Sequence, residues 1–579
     1  MLNNFRQNDE GGGLFSESRI MILILFIFLF GLLIIFRLFN LQIMQHSFYS
    51  TAATEKHEVY KDLIAERGSI YTYEKGELYP LVTNREYYLV YAEPIKIKSP
   101  NKIVDSITSI LGLKEEEWKD LLGRLAKRDD PYEPIKHKVT KKQVDQIEAL
   151  ELEGIGFIPE NYRFYPDKGV GGHILGFIRF TDEEQVGQYG LEGHFNKELS
   201  GKSGLIKSFK DALGSLITVG SRSVEKAEDG ADLVLTIDRQ VQFTACQKLK
   251  EFYDYFEADG ATVVIMEPTG GILAMCSFPD FDPENYNEVE DINHLNNPAI
   301  FYPFEPGSVF KAITMAAGLD TGKVAPDTTY VDEGEVKVGP FTIRNADLKA
   351  HGEQTMTYVL EQSLNTGALF VEQEIGKKTF KKYVERFGFG ENTGITMDTE
   401  MPGDLSQLDK RGDIYGITAS YGQGITVTPL QMVTAIAAIA NRGQLPKPYI
   451  VSEIINSNGS KVVTKPENVR EVIKPKTASL LTGMLTSVIE NGYGAKAKVD
   501  GYYLAGKTGT AQVAGASGGY GHKTIHSFVG FGPVSNPKFA MMVKIDNPKG
   551  IRFSSDSITP LFGQLAEFLL NYYQIQPDY

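Results

Sequence analysis

Pro306-Gly307-Ser308-Val309-Phe310-Lys311 puts a serine directly after a Pro-Gly turn, at the head of the apolar, helix-periodic segment Val309 to Gly318. Residues three apart share a helix face, so the amine of Lys311 can reach the hydroxyl of Ser308. That pairs a nucleophile with a base. A serine hydroxyl reacts poorly by itself, and a lysine serves as base only where burial or neighbouring positive charge makes it neutral. Phe310 and the apolar turn after Lys311 supply such surroundings. A helix-capping serine beside a solvated lysine would look the same over this stretch, so the rest of the chain has to decide.

Working outward, Ser363-Leu364-Asn365 follows in a segment of helical periodicity and offers a hydroxyl for proton relay and an amide for orienting a substrate. Further on, Lys507-Thr508-Gly509-Thr510 stands just beyond the strand-like Tyr502 to Leu504. Gly509 allows close approach to the backbone, while Lys507, Thr508 and Thr510 can hold a carboxylate. Each segment alone has an ordinary reading, as a polar turn or a strand end with a surface lysine. Their order, on helix, helix and strand, matches the S-x-x-K, S-x-N and K-T-G set of penicillin-recognising enzymes.

With those residues in place the chain resembles the class B penicillin-binding proteins. Further segments stand in family order: Arg67-Gly68-Ser69-Ile70, Gly190-Leu191-Glu192, Leu235-Thr236-Ile237-Asp238, Tyr421-Gly422-Gln423-Gly424, Thr428-Pro429-Leu430-Gln431 and Ser527-Phe528-Val529-Gly530. Two places depart from the family pattern. Tyr71 to Gly76 reads YTYEKG where an Asp-Arg-Asn-Gly turn is usual, and Phe553-Ser554-Ser555-Asp556 stands where a Gly-Gly pair is common.

The resemblance implies a penicillin-binding transpeptidase fold, α/β with an antiparallel sheet flanked by helices, on an α+β pedestal. It implies D,D-transpeptidation of peptidoglycan stem peptides, with β-lactams as inhibitors. By the same carry-over Ser308 is acylated, Lys311 is its base, and Ser363 and Asn365 relay and position. Lys507, Thr508 and Thr510 contact the donor's terminal carboxylate, Gly509 among these substrate-binding residues lets the donor close to the backbone, and the backbone N–H groups of Ser308 and Thr510 form an oxyanion hole. The reaction needs no cofactor and no metal. Implied partners are the stem peptide, the lipid-linked nascent glycan, a polytopic glycosyltransferase beside the anchor and other division proteins. The stretch from Ser527 to Asn547 is more similar to division-septum enzymes than to the elongation type.

Composition agrees with this picture. At 579 residues the chain has room for several domains, and its net charge of -15 repels polyanions, which argues against nucleic acid as a partner. Ile20 to Phe36 is an apolar run of 17 residues, extended by apolar positions to Met44, and reads as one uncleaved membrane anchor. Expected divisions are a cytoplasmic tail at 1–19, the anchor at 20–44, a pedestal or dimerisation domain at 45–228 and the transpeptidase domain at 229–579. The anchor then lies in the cytoplasmic membrane with the catalytic domain outside. Flanking positive charges, Arg6 and Arg19 against Arg37 and Lys56, do not set the orientation.

The only cysteines, Cys246 and Cys276, can be two buried thiols or one disulfide, and thiols are the simpler expectation. No histidine spacing gathers a metal site. Gly515-Ala516-Ser517-Gly518-Gly519 fits G-x-S-x-G but lacks the helix a nucleophile elbow needs, and Gly201-Lys202-Ser203 imitates a phosphate loop without its first glycine. Two rival functions share the acylation residues or the pedestal: a β-lactam sensor or slow hydrolase, and a non-catalytic wall scaffold. The first lacks an identifiable deacylating Glu, and the intact triplet speaks against the second.

Overall fold

The computed structural model describes residues 13–45, 58–63, 65–74, 76–127, 129–166, 170–181, 185–209, 223–514 and 519–579. Most of the N-terminal tail and residues 515–518 of the Gly515–Gly519 look-alike lie outside them. The chain divides into two compact units. One comprises 1–65 and 202–228. Its helix α1 (Gly13–Phe39) runs into a π-helical turn, Asn40–Met44. Met21–Met44 is long and apolar enough to cross a membrane, and its side chains face outward. The same unit holds a three-stranded sheet in which Gly204–Phe209 lies between Glu58–Leu63 and Ser223–Glu225. Lys202 of the phosphate-loop look-alike pairs its backbone with Glu228, at 2.8 and 2.9 Å.

The other unit comprises 66–201 and 229–579. In its first part the long strand Glu77–Ala92 pairs with Ile70–Glu74, Glu133–Val139 and Ile155–Phe164, so the strands on either side of the departure from the family turn still pair antiparallel. Helices Pro100–Leu111, Glu115–Leu125 and Lys141–Glu148 bury Ile103, Ile107, Leu121, Val144 and Ile147 against it. The family segments explain one another here. Buried Glu192 accepts from Arg67 Nε and Arg163 Nε, both at 2.7 Å, and Arg67 also reaches Asn196 Oδ1 at 2.9 Å. A buried carboxylate is tolerable only with such complete pairing.

The rest is built on one five-stranded sheet. In chain order its parts are α2 (Arg239–Tyr255), β1 (Gly260–Met266), β2 (Ile272–Phe278), α3 (Lys311–Asp320), α4 (Asn365–Ile375), α5 (Pro429–Ala440), β3 (Ala505–Ala514), β4 (Tyr520–Gly532), β5 (Phe539–Asp546) and α6 (Thr559–Tyr572). Spatial order is β2-β1-β5-β4-β3, with every pair antiparallel. Alternate residues serve opposite faces. Val264, Met542 and Val529 join a core with α3 and α5, whereas Val263, Val543 and Phe528 pack under α2 and α6.

Local sequence fixes the helix starts. Asp238 caps α2 by accepting from Gln240 N and Val241 N, and Thr428-Pro429-Leu430-Gln431 forms a capping box with proline in the first turn of α5. In sequence Val241–Phe256, Leu430–Asn441 and Pro560–Tyr573 read as helices, and α2, α5 and α6 match them to within two residues at either end.

Two expectations are corrected. The strand expected at Tyr502–Leu504 begins at Ala505 instead: Tyr502 N–H closes a turn onto Val499 O, and the Gly- and Thr-rich run after Leu504 is the strand. Cys246 and Cys276 are joined in a disulfide, not held as thiols, because α2 packs on β2 with their Cα atoms 5.6 Å apart. The outer rim of β2 is closed by the same helix. Gln242 accepts from Met275 N–H and donates to Met275 O, both at 2.8 Å.

Candidate active site

Ser308 stands in a tight 3-10 turn, Gly307–Phe310, that feeds directly into α3. The turn needs its glycines. Gly307 has φ +58 and donates to Gly422 O at 3.0 Å, and a Cβ on Gly422, whose φ is +79, would lie 2.2 Å from Gly307 O. The Tyr421–Gly424 segment is thus the cradle of the serine turn. Glu305, just upstream, anchors the same loop by accepting from Gly424 N–H at 2.9 Å. Val309 and Phe310 are buried, with Phe310 against Phe380 and Phe389. Ser308 is half-buried, while Lys311 is sealed at 1% exposure.

Ser363 is not on a helix as the periodicity suggests. It occupies the turn between Met356–Glu361 and α4, with a left-handed φ of +56. That turn aims acceptors at Lys311, whose Nζ donates to Ser363 O at 2.5 Å and Asn365 Oδ1 at 2.8 Å and lies 3.3 Å from Ser363 Oγ. From the opposite side Lys507 Nζ donates to Ser363 Oγ at 3.0 Å and to Thr508 O at 3.2 Å. One hydroxyl therefore bridges two amines.

Lys507 to Thr510 lie inside β3, paired with Val529, Phe528, Ser527 and His526 of β4. Gly509 is where β3 meets the serine turn. A Cβ there would stand 2.8 Å from Val309 Cγ1 and 3.2 Å from Pro306 O. Thr510 Oγ1 lies 3.2 Å from Ser554 Oγ and accepts from Ser554 N–H at 3.2 Å. Sequence reasoning flagged Ser554 only as a departure from the family and did not see it beside Thr510, since the two are far apart in the chain.

Burial, and then the charge of Lys507, hold the Lys311 amine well below its ordinary range, and burial brings Lys507 down to about 7. Among the described residues no carboxylate forms an ion pair with either. A neutral Lys311 has two N–H bonds, matched by Ser363 O and Asn365 Oδ1, which leaves its lone pair for a hydroxyl proton. His526, buried behind Thr510, is pushed down to about 4 by burial and so stays neutral, held by Ser557 Oγ at 2.7 Å and Thr524 Oγ1 at 3.1 Å. All eight residues expected at the site lie on the serine turn, the first residue of α3, the Ser363–Asn365 stretch that leads into α4, or the facing stretch of β3. The arrangement can deprotonate a serine, relay a proton and hold an anion.

Comparison with known proteins agrees. The penicillin-binding protein transpeptidase domain matches residues 260–567, and the penicillin-binding protein dimerisation domain matches 62–235. Stage V sporulation protein D of Bacillus subtilis (strain 168) is 32% identical over 514 residues, 87% of this chain and 79% of the relative. Peptidoglycan D,D-transpeptidase FtsI of Escherichia coli (strain K12) is 29% identical over 449 residues, 77% and 73% of the two chains. Penicillin-binding protein 3 of Mycobacterium tuberculosis, in complex with aztreonam, superposes with a TM-score of 0.67 at 25% identity, covering 90% of this chain and 98% of that one. Penicillin-binding protein 2X of Streptococcus thermophilus shares the fold at TM-score 0.76 and 22% identity, over 89% and 80%. The transpeptidase and dimerisation domains, together with the S-x-x-K, S-x-N and K-T-G residues meeting at one turn and one strand, make this chain a class B penicillin-binding protein.

Proposed function

We propose that the protein is a peptidoglycan D,D-transpeptidase that works through an acyl group on Ser308. The observation that carries the reading is the convergence of Lys311, Lys507 and Asn365 on the Ser363 turn. Neutral Lys311 takes the Ser308 proton as Oγ attacks the carbonyl of the penultimate D-Ala. The carbonyl oxygen takes up negative charge between the N–H groups of Ser308 and Thr510, a type of interaction whose loss costs ~2.7 to 4 kcal/mol. The tetrahedral centre collapses, the C–N bond breaks, and the departing D-Ala amine receives the proton through Ser363 Oγ. An acceptor amine of a second stem peptide then attacks the ester, gives up its proton along the same path and frees Ser308.

The two buried amines without a counter-ion explain the preference for a donor ending in a carboxylate. That anion, held by Lys507 and the hydroxyls of Thr508 and Thr510, would keep Lys507 protonated, and the charge of Lys507 would in turn keep Lys311 neutral. β-Lactams carry a carboxylate beside a strained amide and fit the same groups.

The reading places residues 20–44 across the cytoplasmic membrane, with 45–228 as pedestal and 229–579 as transpeptidase domain outside it. The Cys246–Cys276 disulfide supports that side, since disulfides persist in oxidising compartments. Division-septum wall synthesis, beside a polytopic glycosyltransferase supplying lipid-linked glycan, is the setting proposed. The likeness to a sporulation protein at 32% identity favours spore-stage wall synthesis as a second setting.

Intact-mass measurement after β-lactam treatment, with peptide mapping, tests the chemistry. One adduct is expected on Ser308 and none on Ser308→Ala. Labelling that persists in that variant refutes the nucleophile, and rapid loss of the adduct from wild type would indicate a hydrolase.

A further inference from the structure

The excursion between α3 and the Ser363 turn carries a buried polar cluster that the mechanism above does not use. Strands Thr329–Asp332 and Gly352–Thr355 pair at its base, and the hairpin Glu335–Val338 with Phe341–Arg344 projects from it. Asp332, Asn345 and Thr366 are each no more than 2% exposed. The Asp332 carboxylate accepts from Asn345 Nδ2 at 3.0 and 2.9 Å, Gly334 N–H at 3.1 Å, His351 N–H at 3.1 Å and Thr366 Oγ1 at 2.7 Å.

A carboxylate only accepts, so Asn345 must turn its NH2 toward Asp332 and its oxygen the other way. That oxygen accepts the backbone N–H of Asn365 at 3.0 Å and of Thr366 at 3.3 Å. Next to it, Asn365 Nδ2 donates to Arg344 O at 2.8 Å, which leaves Asn365 Oδ1 facing Lys311. Ser363 itself has a left-handed φ of +56, which non-glycine residues seldom adopt, and the excursion grips the turn two and three residues later.

We infer that Asp332 and Asn345 are positioning residues: through the backbone N–H groups of Asn365 and Thr366 they lock the Ser363–Asn365 turn so that its acceptors face the Lys311 amine and exclude water from it. They touch no substrate. Lys507 on β3 is the charged group whose field reaches Lys311. On the elements packed against α3, Asp320 is engaged with Tyr383 at 2.7 Å, Glu361 with Ser487, and the Tyr330 hydroxyl lies 3.1 Å from Thr366 Oγ1, while Glu372 of α4 is buried near Asp413 and Lys377 and pushed up to about 7 by that burial. Loosening the turn admits water, eases protonation of Lys311 and raises the pH at which it becomes a base.

This inference rests on the reading of Lys311 as base. The test is the second-order rate of labelling of the full-length, detergent-solubilised protein by a fluorescent penicillin from pH 5.5 to 9.5. Asn345→Ala should label about tenfold more slowly at pH 7, with the acid limb of the profile displaced upward by about one unit. Thr366→Val, which removes one donor to Asp332 and keeps the side-chain shape, should move the limb the same way by less. An unshifted acid limb in Asn345→Ala overturns the inference, even if the rate falls along with thermal stability. If Asn345→Ala does not fold, Thr366→Val decides by the same displacement. Lys311→Ala separates the two claims: its failure to label with Asn345→Ala unshifted removes only the positioning role, whereas normal labelling of Lys311→Ala removes the base itself.

Discussion

An amine withdrawn from water sheds its proton more readily, and at the scale of single residues this governs the site. Folded Lys507 titrates near 7, against about 10.4 for a free lysine, so between those values the unfolded chain holds a proton the folded one lacks. Stability attributable to this group therefore rises with pH across that window, and its penalty is full below about 7. Lys507→Met should raise thermal stability at pH 6 to 7 by about 1 to 4 kcal/mol, with the gain shrinking toward pH 10, while β-lactam acylation collapses. Differential scanning calorimetry at several pH values reads this, and a gain independent of pH would mean that the amine is not desolvated. Residues of this kind were legible in the sequence because serine, lysine and glycine at fixed spacing have few other joint uses. Asp332 and Asn345 were not, since nothing in a loop's composition tells which amide will meet which carboxylate.

At the scale of elements the decisive contact is the one between β3 and the serine turn. Gly509→Ala would drive a methyl group to 2.8 Å from Val309 Cγ1 and within 2.5 Å of Ser527 Oγ, moving the strand away from Ser308. Acylation should fall about 10- to 100-fold with little change in secondary structure, since displacement by about 1 Å suffices for that loss. A wild-type rate for this variant would show that β3 does not set the geometry. Helices were read from the chain to within a residue or two because their apolar period and caps are local. β3 was misplaced because AGKTGTAQVA lacks the alternation of a half-buried strand; its residues answer to β4 on one side and to the serine turn on the other. Ser363 was misassigned for a related reason: the periodicity belongs to the helices before and after it, and the turn between them holds a left-handed serine that no pattern announces. The disulfide was missed because it depends on α2 lying over β2, a tertiary fact.

At the scale of the whole molecule, one helix among the described residues, Met21–Met44, is long and apolar enough to cross a membrane. Removing residues 1–45 should shift the protein from the membrane fraction to the soluble fraction and leave penicillin labelling of Ser308 unchanged, as fractionation followed by labelling would reveal. Retention at the membrane would point to a second lipid-binding surface. The fold as a whole was legible by resemblance more than by pattern, because the order of short segments along the chain survives where individual strands do not read clearly. Finally, the two margins of the five-stranded sheet are unlike. Gln242 plugs the β2 margin with its own amide, whereas no strand lies along the far side of β3 among the described residues. Any extended guest thus has a single berth, next to the reactive hydroxyl, and the opposite flank is protected against the edge-to-edge stacking that aggregates crowded proteins.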